Sequence, residues 1–246
     1  MIGITTPLVH LVGAGPGSPE LLTVKASALL QEADAVLYDR LILPEMLEHV
    51  SPHAVAICVG RAPGGRGMAQ EEVNDHLIRL ARQGLRVVRL KGGDPMVFGR
   101  GGEEVQALVK AGVAVDLVPG LSSAWAALTL GGIPATHRGV SAVVTVVSGH
   151  EPERLPWPHL VGLGGTLVFL MAMAQLGAIA ERLMAQGMSA DTPAAVIEKA
   201  SWPDQRMIVA PLRELAHAAE QQRMTPPAVV VVGHVVTVLP PIVGAP

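Results

Sequence analysis

Short runs of β-branched residues alternate with helical patterns along most of the chain, and this alternation limits the fold more than any other feature. Leu8–Val12, Ala35–Tyr38, Ala54–Val59, Arg86–Leu90 and Val113–Val118 read as strands. Glu71–Gln83 reads as a helix, because Val73, Leu77 and Leu80 recur on one face and Gly84 stops it. Glu103–Lys110 and Ser122–Leu130 read as helices, and a further helix is expected after Ser18 as N-cap and Pro19 as first helical residue. Such alternation implies an α/β fold, with a largely parallel sheet covered by helices on its faces. A second unit begins near Val140, with strands at Ser141–Val147, Thr166–Met171, Ala194–Glu198, Arg206–Val209 and Ala228–Val232. Gln175–Gln186 and Leu212–Gln222 are its helices, and the proline-rich stretch His150–His159 reads as a loop. The boundary is expected near Thr136–Ser141, giving two α/β domains, residues 1–138 and 139–246.

Composition narrows the function classes. Half of the residues are hydrophobic, so a sizeable core is available and disorder is not expected. The net charge of −3 argues against a general nucleic-acid binder, which needs a clustered basic surface. The apolar run Ala228–Leu239 is broken by Gly233 and His234 and falls short of the ~20 residues that span a bilayer. No basic stretch precedes the apolar residues of the N-terminus, so no secretory signal is read there and a soluble, cytoplasmic protein is expected. The single cysteine, Cys58, lies in an apolar run and reads as a small buried hydrophobe. The nine histidines include no H-E-x-x-H motif, so no metal site is expected. His49, His53 and His217 read as surface residues, and His137 and His150 as candidates to line a cleft.

Parallel sheets bind ligands at the C-terminal ends of their strands. That rule singles out the loops Gly13–Gly17, Asp39–Leu41, Gly60–Gly67, Lys91–Gly102 and Pro119–Ser123. The first, Gly13-Ala14-Gly15-Pro16-Gly17, sits between a strand and a helix as a dinucleotide-binding turn would. Its third glycine is misplaced for that fingerprint, since only Pro16 separates it from the second. The most informative segment is Arg89-Leu90-Lys91-Gly92-Gly93-Asp94-Pro95, continuing to Phe98-Gly99-Arg100-Gly101-Gly102-Glu103-Glu104. Gly92 and Gly93 leave bare backbone for a ligand, and Asp94 can accept hydrogen bonds from one. Arg100 and Glu103 extend from the second glycine cluster.

These residues resemble the signature of the uroporphyrinogen-III C-methyltransferases. Other stretches resemble that family in the same order: Val12–Gly17 with Leu21–Thr23, Leu37–Leu41, Gln70–Asn74, Val118–Gly120, Gly132–Arg138, Ser148–His150 and Pro227–Gly233. The resemblance implies two α/β domains of the tetrapyrrole methyltransferase type, with the cofactor in the cleft between them, and a homodimer. It implies S-adenosylmethionine as methyl donor, S-adenosylhomocysteine as product, and two C-methylations of a tetrapyrrole to precorrin-2, on the route to sirohaem, cobalamin or haem d1. Cofactor contacts implied by it fall on Pro16, Gly92, Gly93, Asp94, Val97, Ser122, Ser123, Met171, Ala200 and Ala228. Substrate handling falls on Arg40, Arg61, Arg138 and Met171, and catalysis on Asp39, Arg100 and Glu103. The chain departs from the family at Arg61, where a lysine is common, at Ser122-Ser123, and at Ala200, where glycine is common. Arg61 puts a proton donor there in doubt, because a guanidinium is effectively always protonated. No partner module is read at either end, so a stand-alone enzyme is expected.

The chemistry suits these residues. Uroporphyrinogen carries eight carboxylates, and arginine grips a carboxylate with two parallel hydrogen bonds. Arg40, Arg61, Arg66, Arg89, Arg100 and Arg138 all lie in or beside the strand-end loops. Methylation of a pyrrole carbon needs alignment, exclusion of water and a base, and Asp39 and Glu103 are the carboxylates in the right loops. Three other readings compete. Another precorrin C-methyltransferase is disfavoured by the paired K-G-G-D-P and R-G-G-E-E stretches. A nucleotide-dependent oxidoreductase is disfavoured by the glycine spacing. A non-catalytic tetrapyrrole carrier would not need Gly92-Gly93-Asp94.

Overall fold

The computed structural model describes residues 8–60 and 67–240. The chain divides into two compact units, Met1–Ser122 and Ser123–Pro246.

The first unit runs β1 (Leu8–Gly13), α1 (Val24–Glu32), β2 (Ala35–Tyr38), α2 (Pro44–Leu47), β3 (Val55–Cys58), α3 (Gln70–Arg82), β4 (Val87–Lys91), α4 (Gly101–Lys110) and β5 (Ala114–Val118). The strands form a parallel sheet in the order β3-β2-β4-β1-β5. Its central strands are largely buried on both faces, so β1 and β4 are mostly apolar, with His10 on β1 and Arg89 and Lys91 on β4 as exceptions. Side chains alternate across the sheet. Val12, Val36, Val88 and Leu90 pack with Leu30 of α1 and Met46 of α2. Val9, Leu37 and Val87 pack on the opposite face with Leu77 of α3 and Leu108 of α4. The same alternation sends Arg89 and Lys91 to the face of α3 and α4, where both are buried.

The second unit runs α5 (Ser123–Leu130), β6 (Val144–Ser148), α6 (Trp157–Leu163), β7 (Thr166–Leu170), α7 (Leu176–Ala185), β8 (Pro193–Glu198), β9 (Arg206–Pro211), α8 (Leu212–Gln221) and β10 (Ala228–Val232). Its sheet has the order β6-β7-β10-β8-β9 and is mixed: β6 and β7 are parallel, and the other three pairings are antiparallel. A largely parallel sheet therefore holds for the first unit only. One face carries Phe169, Val196 and Val230 against α6, α7 and α8. The other carries Val168, Ile197, Val229 and Val231 against Ala124, Ala127 and Leu128 of α5.

That packing places the division at Ser122/Ser123, ahead of the boundary expected at Thr136–Ser141. Helix α5 ends in sequence where a first domain would close, but its apolar surface covers the second sheet.

Three local readings change. Ser18 caps only the 3-10 turn Pro19–Leu21, and Thr23 caps α1 by accepting from Ala26 N at 3.1 Å. The proline-rich stretch after His150 contains the start of α6, because Pro156 and Pro158 lie at its cap and first turn, where a missing N–H costs nothing. Trp157 anchors that helix, donating to Pro152 O at 2.8 Å and stacking on Phe169 at 6.3 Å between ring centroids. Cys58 is exposed and not buried, because β3 is an edge strand.

Candidate active site

The register of the first sheet brings the ends of its strands level: Gly13 pairs with Lys91, Tyr38 with Leu90, and Val12 with Val118. The loops carrying Pro16, Asp39 and Arg40, Gly92–Arg100, and Pro119–Ser122 therefore share one end of the sheet. Two of them are stitched together beyond the strands. Gly93 N donates to Gly15 O at 2.7 Å, and Gly15 N returns a bond to Gly93 O at 3.2 Å. The loop after β5 packs backbone to backbone on the same point. A Cβ at Gly120 would lie 2.2 Å from Gly93 O and 2.7 Å from Gly13 Cα, so no side chain fits there.

Asp94 is engaged by the protein's own backbone. Its Oδ1 accepts from Met96 N at 2.8 Å, and its Oδ2 accepts from Gly120 N at 3.1 Å. Both oxygens are thus engaged by the protein's own backbone. Asp94 shapes the loop and ties it to the next one. Beyond it, Phe98 (φ 52°) and Arg100 (φ 58°) adopt left-handed backbone, a conformation that non-glycine residues hold only where surroundings impose it. Met96, Val97 and Phe98 are exposed on this loop.

Arg100 and Glu103 are brought together. The Arg100 guanidinium grips Glu103 with two bonds, Nε to Oε1 at 2.9 Å and Nη2 to Oε2 at 2.7 Å, and both side chains are more than half exposed. The hydrogen bond from Arg100 holds the Glu103 carboxyl below the usual carboxylate range. Glu103 is a correspondingly weaker base.

Asp39 meets Arg89, whose Nη2 donates to Asp39 Oδ1 at 2.5 Å. Arg89 is only 3% exposed, so it is not one of the arginines open to a carboxylate substrate. Its Nε donates to Glu104 Oε1 at 3.1 Å, and its Nη1 donates to Leu90 O at 3.1 Å and Leu37 O at 3.4 Å. Lys91 Nζ and Gln70 Nε2 donate to the same Glu104 oxygen, at 3.2 and 3.1 Å. Glu104 is fully buried, and its Oε2 has no partner among the described residues. Burial pushes the Lys91 ammonium below its ordinary range, and the neighbouring Arg89 charge acts in the same direction. Sequence reasoning missed this network as a unit. The available signal was two cations on alternate positions of a strand that is otherwise apolar.

In the second unit, the antiparallel pairings place the end of β7 opposite the start of β10 and the end of β8. Leu170 faces Val229, and Glu198 faces Ala228. Met171, Ala200 and Ala228 therefore gather at one end of that sheet, together with Ser148, which pairs with Leu170. Met171 is half exposed with φ 56°, while Ala200 is buried between Lys199 (φ 51°) and Ser201 (φ 70°). The turn is held by Lys199 N donating to Pro227 O at 2.8 Å and Ser201 N donating to Gln205 Oε1 at 2.7 Å. Ser123 opens α5.

Arg138 is not in this group. It sits in an exposed turn closed by His137 and Ser141, which exchange backbone bonds at 2.9 Å. Ser141 Oγ bonds Thr166 Oγ1 at 3.0 Å, at the opposite end of β7 from Met171. His137 shares that turn, and His150 is exposed after β6. Arg61 and Arg66 lie outside the described residues.

Comparisons with known proteins identify the family. Residues 8–216 match the model of the tetrapyrrole (corrin/porphyrin) methylases. Over 93% of this chain and 91% of its own length, a Methanosarcina barkeri protein named S-adenosyl-L-methionine-dependent uroporphyrinogen III methyltransferase is 46% identical. A siroheme synthase of Hahella chejuensis is 44% identical, and the chain spans about half the length of that relative. Among solved structures, the uroporphyrin-III C-methyltransferase of Thermus thermophilus, complexed with S-adenosyl homocysteine, has a TM-score of 0.78 and 42% identity over 94% of this chain and 99% of its own. A cobalt precorrin-4 methyltransferase has a TM-score of 0.86 at 27% identity, over 94% of this chain and 96% of its own. The chain belongs to the tetrapyrrole methylase family.

Proposed function

We propose that this chain methylates uroporphyrinogen III twice, using S-adenosylmethionine, and releases precorrin-2. The observation that carries the reading is the 46% identity, across nine-tenths of both chains, to a protein named for that reaction. The residues fit the cofactor. A Cβ added at Gly92 would meet nothing closer than Leu41 Cβ at 3.5 Å, so bare backbone stands beside an apolar side chain. Such a surface suits a nucleoside thioether, with main-chain groups for its polar edges and Leu41 and Val97 for its apolar parts. When bound, S-adenosylmethionine supplies an electrophilic methyl group on a sulfonium. The protein's residues orient the acceptor and handle charge and protons. Arg40 and Arg100 take substrate carboxylates, with Arg61 and Arg138 as further candidates. Asp39 accepts the proton that the ring gives up after methylation. We further propose that Pro16, Gly93, Val97, Ser122, Ser123, Met171, Ala200 and Ala228 line the cofactor, and that the enzyme is a cytoplasmic homodimer. Asp94 shapes the loop and, with acceptor capacity left on both oxygens, is proposed to contact the cofactor as well.

The TM-score of 0.86 to a precorrin-4 methyltransferase favours, as a second reading, a later intermediate of the same chemistry. One assay separates the two. The protein is incubated anaerobically with uroporphyrinogen III and labelled S-adenosylmethionine, and the tetrapyrrole is weighed by mass spectrometry. A gain of two methyl groups establishes the first reading. Absence of any gain, with S-adenosylhomocysteine still bound, would overturn it in favour of the second.

A further inference from the structure

The ion-pair network beneath the first sheet's loops ends asymmetrically on the proposed base. Arg89 Nη2 holds Asp39 Oδ1 at 2.5 Å, while Oδ2 accepts no hydrogen bond among the described residues. The Asp39 side chain is 30% exposed, against 4% for Arg89 and none for Glu104. One oxygen is therefore clamped from the protein side and the other is left available at the open end of the sheet.

The clamp is rigid because the arginine is buried and held on three sides. Leu37 O, Leu90 O and Glu104 Oε1 take three more of its five donors from other directions. Glu104 is in turn fixed by Lys91 and Gln70 on the same oxygen. A buried network of this kind is poor evidence of a stabilising role, since apolar residues of similar volume would serve the core as well. It makes sense where a planar group must be held in one orientation, which a guanidinium fork does and an ammonium does not.

We infer that Arg89 is a positioning residue for the methyl transfer: it acts through Asp39, fixing the carboxylate so that Oδ2 faces the proton it must remove, while Glu104 balances the buried charge. The inference rests on the function proposed above. The acid–base balance is simple. The carbon–sulfur bond breaks with its electron pair staying on sulfur, the ring carbon forms the new carbon–carbon bond, and the proton lost by the ring passes to Asp39 Oδ2.

A double-mutant cycle tests this. Wild type, Asp39→Asn, Arg89→Lys and the double variant are compared for kcat, KM and S-adenosylhomocysteine affinity. Arg89→Lys keeps the charge that Glu104 needs but loses the fork, and a misplaced base of this kind costs about 10²-fold in kcat. Loss of the base itself costs about 10²- to 10⁴-fold. The double variant should be no slower than Asp39→Asn alone, with cofactor affinity unchanged throughout, because residues that act as one unit are not additive. Multiplying losses, or a fall in cofactor affinity that parallels kcat, would overturn the inference and leave Arg89 a structural residue. Should Arg89→Lys not fold, Asp39→Glu tests the point without touching the arginine. It keeps the carboxylate but moves it out of the clamp, and an unchanged kcat would overturn the inference. Absence of turnover by wild type would overturn the functional reading, and this inference with it.

Discussion

Asp94 bonds the backbone N–H of Gly120 through Oδ2, at 3.1 Å, and so joins the loop after β4 to the loop after β5. The same carboxylate turns its own loop by accepting from Met96 N. Hydrogen bonds to a charged group contribute about 1.5–3 kcal/mol each. Asp94→Ala removes two of them and frees both loops. S-adenosylhomocysteine affinity, read by calorimetry, should fall at least about tenfold, with a lower denaturation midpoint. Asp94→Asn keeps one acceptor and should fall between. An Asp94→Ala protein that binds as wild type does would show that the two loops hold their places unaided.

Gly120 has no room for a side chain, since an added Cβ would lie 2.2 Å from Gly93 O. The clash is with backbone, so Gly120→Ala should destabilise by about 1–3 kcal/mol or more. Gly102, on α4, has nothing within 4 Å of an added Cβ. Gly102→Ala should stabilise by about 0.5–1 kcal/mol through the lower entropy of the unfolded chain. Denaturant midpoints for the two variants should move in opposite directions, and a common direction would contradict the close approach at Gly120.

Arg100 stands at the start of α4 and holds Glu103 with two bonds. Arg100→Ala removes a carboxylate grip at the exposed end of the site. Turnover of uroporphyrinogen III should drop by about 10²-fold or more, with S-adenosylhomocysteine still bound. Binding of S-adenosylhomocysteine by the variant separates this from unfolding, and retained turnover would make the arginine structural only.

Lys25 bonds Asp116 at 2.8 Å, and His10 bonds the other oxygen at 2.9 Å. The bond from Lys25 above all, with that from His10, holds the Asp116 carboxyl below its ordinary value of 3.8. The folded protein thus binds fewer protons than the unfolded chain in the window beneath 3.8. Stability from this group is present above that window and is lost as pH falls through the lowered folded value. The pair is partly exposed, so the effect is modest. Asp116→Asn should flatten the dependence of the denaturation midpoint on pH between about 2 and 4. An unaltered slope would show that other carboxylates set it.

The inner strands were legible because burial on both faces leaves a largely apolar run between turn residues. Ala35–Tyr38 and Ala228–Val232 fall where periodicity puts them. Helix α6 was hidden by its prolines, which are harmless at a first turn but read locally as breakers. Pairing direction in the second sheet was not readable, since β7, β8 and β10 look alike whichever way a neighbour runs. Site residues were legible as a set of loops. Their division of labour was not: Asp94 binds backbone, Arg89 is internal, and the turn of Arg138 is anchored at the far end of β7.

By itself the sequence determined most of the strands, the α/β class and the family, because each depends on residue types at short spacing. Tertiary structure alone decided that α5 belongs to the second unit, that Asp94 ties two loops, and that Asp39 is clamped on one oxygen by an arginine anchored to Glu104. The last two outcomes depend on which groups meet across sequence separations of 26, 50 and 15 residues. The physical reason is the long-range register of a sheet: it sets which side chains share a strand end and which polar groups find partners once water is removed.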